Sequence, residues 1–127
     1  MNILFIENDA MNRRVVRDML DVAGAIMTEA ESAEIGLALL ETHDFDVVLL
    51  DLRMPGMDGF EVLRRLRNRT DAKSGLKIIV VTADRAPELR SRCADSGASD
   101  VLFKPVAMDV LFETIGRVVA SAGGLIE

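Results

Sequence analysis

The sequence has one cysteine and no tryptophan or tyrosine. Lone Cys93 cannot close an internal disulfide, which excludes a disulfide-built fold and fits a reducing compartment. Positive charge is not in excess: 15 Lys and Arg stand against 21 Asp and Glu, for a formal net charge of −6. No basic stripe dominates, which argues against a nucleic-acid partner. The longest apolar runs fall far short of the roughly 20 residues a membrane span needs. The opening MNILFIEND has neither the basic start nor the long apolar stretch of a signal peptide. Internal repeats and low-complexity tracts are also missing. Together these absences point to a cytoplasmic protein with no membrane partner.

What is present suits one globular domain. The chain has 127 residues, half of them apolar and 28% charged, enough for a real core. Four short apolar runs stand out: ILFI (3–6), VVLL (47–50), IIVV (78–81) and VLF (101–103), with a weaker one, AIMT, at 25–28. Runs without polar alternation are the mark of strands buried on both faces, as in a parallel sheet. Helical patterns lie between them. Met11, Val15, Val16, Met19, Leu20 and Ala23 recur at helical spacing over 10–23, with Gly24 as a stop. Ser32 is placed to cap a helix over 33–41, and Asp58 with Glu61 forms a capping-box pair for a helix through about Leu66. Pro87 suits the first turn of a helix ending before Gly97. The last helix runs from Met108 to Ala120 with Leu111, Ile115, Val118 and Val119 inward, and NRTDAKSG (68–75) is a loop. Five β-α units predict a flavodoxin-like (βα)5 doubly wound parallel sheet with strand order 2-1-3-4-5. The domain is expected over 1–122, with 123–127 a flexible tail or linker stub.

Each apolar run is closed by polar residues: Glu7 and Asn8, Asp51, Thr82 and Lys104. In a doubly wound sheet these carboxyl ends converge on one crevice. Acids, a hydroxyl and an ammonium in one pocket suit a phosphoryl group: a carboxylate can be the nucleophile, a hard cation can sit on oxygens, and the hydroxyl and ammonium can hold phosphoryl oxygens. Singly, each has a plainer reading as a cap, a loop residue or a surface charge. One per strand end, in this order, they outweigh it.

DLRMPGMDGFEVLRRLR (51–67), VVTA (80–83) and GASDVLFKP (97–105) closely resemble the receiver domain of bacterial two-component response regulators, and ENDAMNRR resembles its acidic stretch. The resemblance covers essentially the whole chain. It implies that Asp51 accepts a phosphoryl group from a phosphohistidine on a histidine kinase or histidine phosphotransfer protein. It also implies Mg²⁺ on Glu7, Asn8, Asp51 and the Arg53 carbonyl, phosphoryl contacts from Thr82 and Lys104, and a cis Lys104–Pro105 bond. Such a domain is a phospho-acceptor rather than an enzyme; a phosphatase of this chemistry would need a second acid where Arg53 stands. The resemblance further implies donor docking on Arg13, Arg14, Val106 and Met108, and output to an unknown partner through the fourth helix, fifth strand and fifth helix. Arg53 and Asp84 flank the site and would tune the lifetime of the phosphorylated form. Met1, one residue before the first strand, suggests a natural start, whereas NRRV also resembles receivers at the end of hybrid histidine kinases.

The chain departs from the pattern twice. Asn8 stands where a second acid is usual, and Val101 where many members carry the aromatic that moves with the threonine. Phe103 shares the Val101 face by strand alternation but not its place. Any signal would then run through Thr82 and the loop after it. The other reading is a pseudo-receiver, an interaction module without Mg²⁺-dependent phosphorylation; Asn8 and Val101 favour it, and Asp51, Thr82 and Lys104 oppose it. His43 reads as a loop residue, Cys93 and the scattered Met residues as packing, and Asp9 as a helix cap. Two unit charges about 4 Å apart interact by roughly 4 kcal/mol at an effective dielectric near 20. With relaxation and water recovering part of this, Asn8→Asp is expected to tighten Mg²⁺ about 5- to 150-fold. An NMR titration reads this directly, and equal affinities would refute the electrostatic account.

Overall fold

The structure, a computed structural model, describes residues 1–121. The tail expected at 123–127 lies outside the described residues. Five parallel strands, β1 (Asn2–Ile6), β2 (Ile26–Ala30), β3 (Val47–Asp51), β4 (Ile78–Thr82) and β5 (Asp100–Phe103), form one sheet in the order β2-β1-β3-β4-β5. Helices α1 (Ala10–Val22), α2 (Ala33–Thr42), α3 (Gly59–Arg67), α4 (Leu89–Asp95) and α5 (Met108–Ala120) make the crossovers. No helix among the described residues is long and apolar enough to cross a membrane.

The central strands are apolar throughout because both faces are covered. Leu4, Ile6, Val48, Leu50, Ile78, Val80 and Val101 pack under α2, α3 and α4; Ile3, Phe5, Val47, Leu49, Ile79, Val81 and Leu102 pack under α1 and α5. Alternate residues of one strand therefore serve opposite cores. The register, with Ile6 beside Leu50, Asp51 beside Val81 and Thr82 beside Phe103, brings the polar strand ends into one row.

Side-chain caps start three helices close to that row. Asp9 accepts from the Met11 amide at 2.9 Å, Ser32 from Ile35 at 3.1 Å and Asp58 from Glu61 at 3.1 Å. Only half of the expected capping box forms, since the Glu61 carboxylate turns to Arg64 and Arg65 instead. Pro87 is not in the first turn of α4. The Asp84 carboxylate takes the Ala86 amide at 3.0 Å and a turn follows, so the helix begins at Leu89. The 68–75 loop holds a 3₁₀ turn, Ala72–Gly75, capped by Asp71. In α1 only Val16 and Leu20 are buried, while Met11 and Val15 face solvent at 66% and 43% exposure. The apolar stripe of that helix is wider than its contact with the sheet. In α5, Leu111, Ile115 and Val118 point inward as expected, and Val119 is half-buried.

At the amino ends of β4 and β5, half-buried Arg67 ties three segments together. Its Nε and Nη2 donate to the Gly97 carbonyl at 2.9 and 2.7 Å, and Nη1 donates to Ser74 at 3.0 Å. Gly97 has φ +101°, and a Cβ there would come within 2.7 Å of Arg67 Cγ, so glycine meets two demands at once.

Gly59 lets the start of α3 lie directly on the end of β3. A Cβ there would sit 2.8 Å from both Asp51 O and Leu52 Cα, backbone atoms that cannot swing away. Gly59→Ala is expected to destabilise the fold by about 1–3 kcal/mol through overpacking. Urea denaturation checks this, and an unchanged midpoint would contradict the contact.

Candidate functional site

The sheet brings Glu7, Asp51, Thr82 and Lys104 together. Asp51 is 3% exposed, Glu7 1% and Thr82 0%, an unusual density of buried polar groups. Lys104 Nζ lies 2.6 Å from Glu7 Oε1 and 3.5 Å from Asp51 Oδ1. It reaches this point because β5 ends beside β4: the Lys104 amide donates to the Thr82 carbonyl at 2.8 Å, and the Lys104–Pro105 bond is cis, as expected. The Asp51 carboxylate also accepts from the Arg53 amide at 3.3 Å. Thr82 Oγ1 accepts from the Asp84 amide at 3.1 Å, and the next residue, Ala83, is exposed.

Two buried carboxylates share one ammonium, and the charge balance falls on Asp51. Burial, then the neighbouring Glu7 carboxylate, push its pKa up to about 6, against the lowering pull of Lys104 and the Arg53 amide.

The expected ligand positions divide into two sets. Glu7 and Asp51 are adjacent and buried, whereas Asn8 sits in an exposed bend with no side-chain hydrogen bond among the described residues. Asp9 is the α1 cap, as expected, and its amide donates to Glu7 Oε2 at 3.2 Å. Among the described residues no three acidic, His or Cys side chains converge into a metal cage. The available donors are two carboxylates, an amide oxygen and a backbone carbonyl. All are hard oxygens, and Mg²⁺ is commonly held by one or two carboxylates with waters and a phosphate. The residues present therefore fit Mg²⁺, with one negative charge fewer than two acids at the end of β1 would supply.

The expected docking residues also divide. Arg14 and Met108 are exposed, and Val106 is half-buried against the core. Arg13 does not belong to that outer face. Its side chain is 12% exposed and turns inward, Nη1 donating to the Glu7 carbonyl at 2.6 Å and Nε to Glu29 at 2.8 Å. The direction of Arg13 depends on Glu29, which lies 16 residues away on the neighbouring strand, so α1 alone carried no sign of it. Beside the site a cleft of about 140 Å³ is lined by Asn12, Val15, Lys104, Pro105 and Val106 among others.

Over the mouth, Arg53 Nη2 meets Asp84 Oδ2 at 2.5 Å, joining the loops after β3 and β4. The Ala86 amide and Arg53 hold the Asp84 carboxyl below its usual range. Val101 is 5% exposed and fills the core. Phe103 is half-buried, with the Arg85 and Arg90 guanidinium carbons 5.0 and 5.4 Å from its ring centre. Arg85 also donates to the Lys104 carbonyl at 3.3 Å. His43 follows α2 in a loop, and Cys93 is wholly buried, both as expected.

A five-stranded sheet in this order, with acids, Thr and Lys at its carboxyl ends, defines a receiver-type signalling domain. The sequence matches the response regulator receiver domain family over residues 3–116, and the chain belongs to that family. It is 33% identical over 126 residues to the virulence sensor protein BvgS of Bordetella pertussis, covering 96% of this chain and 10% of that protein. It is 35% identical over 115 residues to the sensor histidine kinase RcsC of Escherichia coli K12, covering 91% and 12%. The chain thus spans about a tenth of the length of these relatives. Among solved structures, it superposes on a CheY-like receiver domain protein from Methanospirillum hungatei with TM-score 0.84 and 28% identity, covering 94% of each chain. A sensor protein from Polaromonas gives TM-score 0.86 and 27% identity, covering 94% of this chain and 96% of that one. The chain is a receiver domain of two-component signalling, homologous to those of hybrid sensor kinases.

The raised pKa of Asp51 has a consequence for stability. The folded protein holds this proton more tightly than the unfolded chain, whose Asp titrates near 3.9. Its contribution to stability therefore falls as pH rises from about 4 to about 6, and the penalty is complete above that window. Asp51→Asn is expected to raise stability by about 1–3 kcal/mol at pH 7.5 and by much less near pH 4. Denaturation of both proteins at the two pH values checks the sign.

Proposed function

We propose that Asp51 accepts a phosphoryl group from a phosphohistidine of a histidine kinase or histidine phosphotransfer protein. The observation that carries this is Asp51 itself, 3% exposed at the end of β3, with Lys104 Nζ at 3.5 Å. With a pKa of about 6, Asp51 is mostly ionised at neutral pH and can act as a nucleophile. An Asp51 oxygen forms the new P–O bond while the P–N bond to the imidazole breaks and its electron pair returns to the ring. Thr82 and Lys104 would donate to phosphoryl oxygens. Glu7, Asn8, Asp51 and the Arg53 carbonyl would hold Mg²⁺, which when bound offsets negative charge on the group being transferred. The product stays on the chain, so the domain acts as an acceptor rather than an enzyme, and we place it in the cytoplasm.

The structure supports a route for output. Thr82 Oγ1 is bonded to the Asp84 amide. If that hydroxyl turns to a phosphoryl oxygen, the Asp84–Arg85 segment loses one of its tethers, with the Arg53–Asp84 pair remaining. Arg85 in turn contacts the Lys104 carbonyl and the Phe103 ring on the α4–β5–α5 face. Donor docking falls to Arg14, Met108, half-buried Val106 and the exposed Met11 and Val15 beside the cleft. Apolar residues rimming a polar site are a common mark of an interface.

Incubation with Mg²⁺ and a small phosphodonor, or a phosphorylated kinase, followed by intact-mass measurement, is the test. A single phosphate adduct that Asp51→Ala abolishes is expected. No adduct under conditions that label an ordinary receiver would support the pseudo-receiver reading that Asn8 and Val101 favour.

A further inference from the structure

Arg13 lies outside the row of strand-end residues, yet it is the most enclosed guanidinium of α1. It reaches back six residues to donate Nη1 to the Glu7 carbonyl at 2.6 Å, while Nε donates to Glu29 Oε1 at 2.8 Å. Glu29 is itself a fixed point, because Arg17 donates to its other oxygen at 2.9 and 2.5 Å. The remaining polar groups of Glu7 are also engaged: its amide with Ala30 O at 2.9 Å, and its carboxylate with Lys104 at 2.6 Å and the Asp9 amide at 3.2 Å. Removing Arg13 would leave the carbonyl of a buried residue without its charged donor, at the point where the chain turns into Asn8.

We infer that Arg13, anchored by Glu29, is a positioning residue: it fixes the Glu7–Asn8–Asp9 turn and so sets where the Asn8 amide oxygen stands relative to Asp51. The inference rests on the phospho-acceptor reading and adds a requirement specific to this chain. A carboxylate at position 8 would attract a cation by charge, which acts over distance and tolerates displacement. An amide offers only a dipole, whose value depends on orientation and contact. Position therefore matters more here than it would with Asp at the same place. Glu29 is shared with Arg17, so the charge of Arg13 is only partly offset; its two-pronged shape is what joins the Glu7 carbonyl to Glu29.

Arg13→Lys separates shape from charge, since an ammonium keeps the charge but replaces the planar fork with a point donor. Arg17→Lys is the control: Arg17 shares Glu29, but its hydrogen bonds do not include Glu7. Mg²⁺ titrations of the unphosphorylated proteins, read from the amide resonances of residues 7–9 and 51–53, give the affinities. Residues that orient metal ligands typically cost about 10-fold or more when changed. Arg13→Lys is expected to weaken Mg²⁺ about 10-fold, and Arg17→Lys less than about 2-fold. In metal-free protein the Asp9 amide should exchange faster in Arg13→Lys alone. In an Asn8→Asp background the Arg13→Lys loss should shrink below about 3-fold, because charge then replaces position. Equal losses in both Lys variants, no loss in either, or the same loss in both backgrounds would overturn the inference. Should Arg13→Lys fail to fold, Glu29→Gln carries the test, with at least about a 3-fold loss expected and none overturning it. A wild-type protein with no Mg²⁺ response and no adduct would defeat the phospho-acceptor reading and this inference with it. A responsive wild type matched by Arg13→Lys would defeat this inference alone.

Discussion

One ammonium facing two buried carboxylates is the constraint on which the rest of the structure turns. Glu7 and Lys104 are 97 residues apart in sequence and 2.6 Å apart in space, and Asp51 lies between them in the chain. Burying an ion is costly unless its partners are close and its remaining lone pairs are satisfied. Only a parallel sheet, whose strands all end on the same side, delivers three such groups from three separate strands. The continuous apolar strands supply the burial, and the caps and glycines just beyond them supply the turns. Burial of the Asp51 carboxylate, and then the neighbouring Glu7 carboxylate, outweigh the pull of that single ammonium and raise Asp51.

Much of this was legible in the sequence, and for a physical reason. Strands covered on both faces must be apolar without interruption, so VVLL and IIVV declared themselves, and the polar residues closing them marked the crevice. Caps are local, so Asp9, Ser32 and Asp58 were readable within a few residues. What stayed hidden depends on partners distant in sequence. Met11 and Val15 keep helical spacing, yet the sheet beneath α1 is too narrow to cover them. Arg13 resembled a surface charge until Glu29 on the neighbouring strand gave it a reason to turn inward. Pro87 suited a helix start, but the Asp84 carboxylate claimed the Ala86 amide and delayed α4.

The two departures at Asn8 and Val101 have different structural characters. At position 8 an amide stands in place of a charge, and the residue before it has its amide, carbonyl and carboxylate all hydrogen-bonded. At position 101 the missing ring is met by nothing at the same place: Val101 is buried core, and the aromatic of this strand lies two residues on, near two guanidinium groups. The end of β1 thus keeps a buried acid at Glu7 and carries an amide at Asn8 in place of a second charge. β5 keeps an aromatic at Phe103, beside Thr82 and within reach of Arg85 from the loop that follows it.

Arg67 gives the domain a stiff end and a soft end. Its guanidinium stitches α3, the 3₁₀ turn and the entry to β5 at the amino side of the sheet, through three hydrogen bonds to backbone carbonyls. At the carboxyl side, the loops after β3 and β4 are joined instead by the contact of an exposed Arg53 side chain with Asp84. A disturbance at Thr82 therefore acts on strands clamped at their far ends. The two ends of the sheet thus answer differently to salt: screening reaches the exposed Arg53–Asp84 pair at the carboxyl end, and much less the half-buried Arg67 at the amino end.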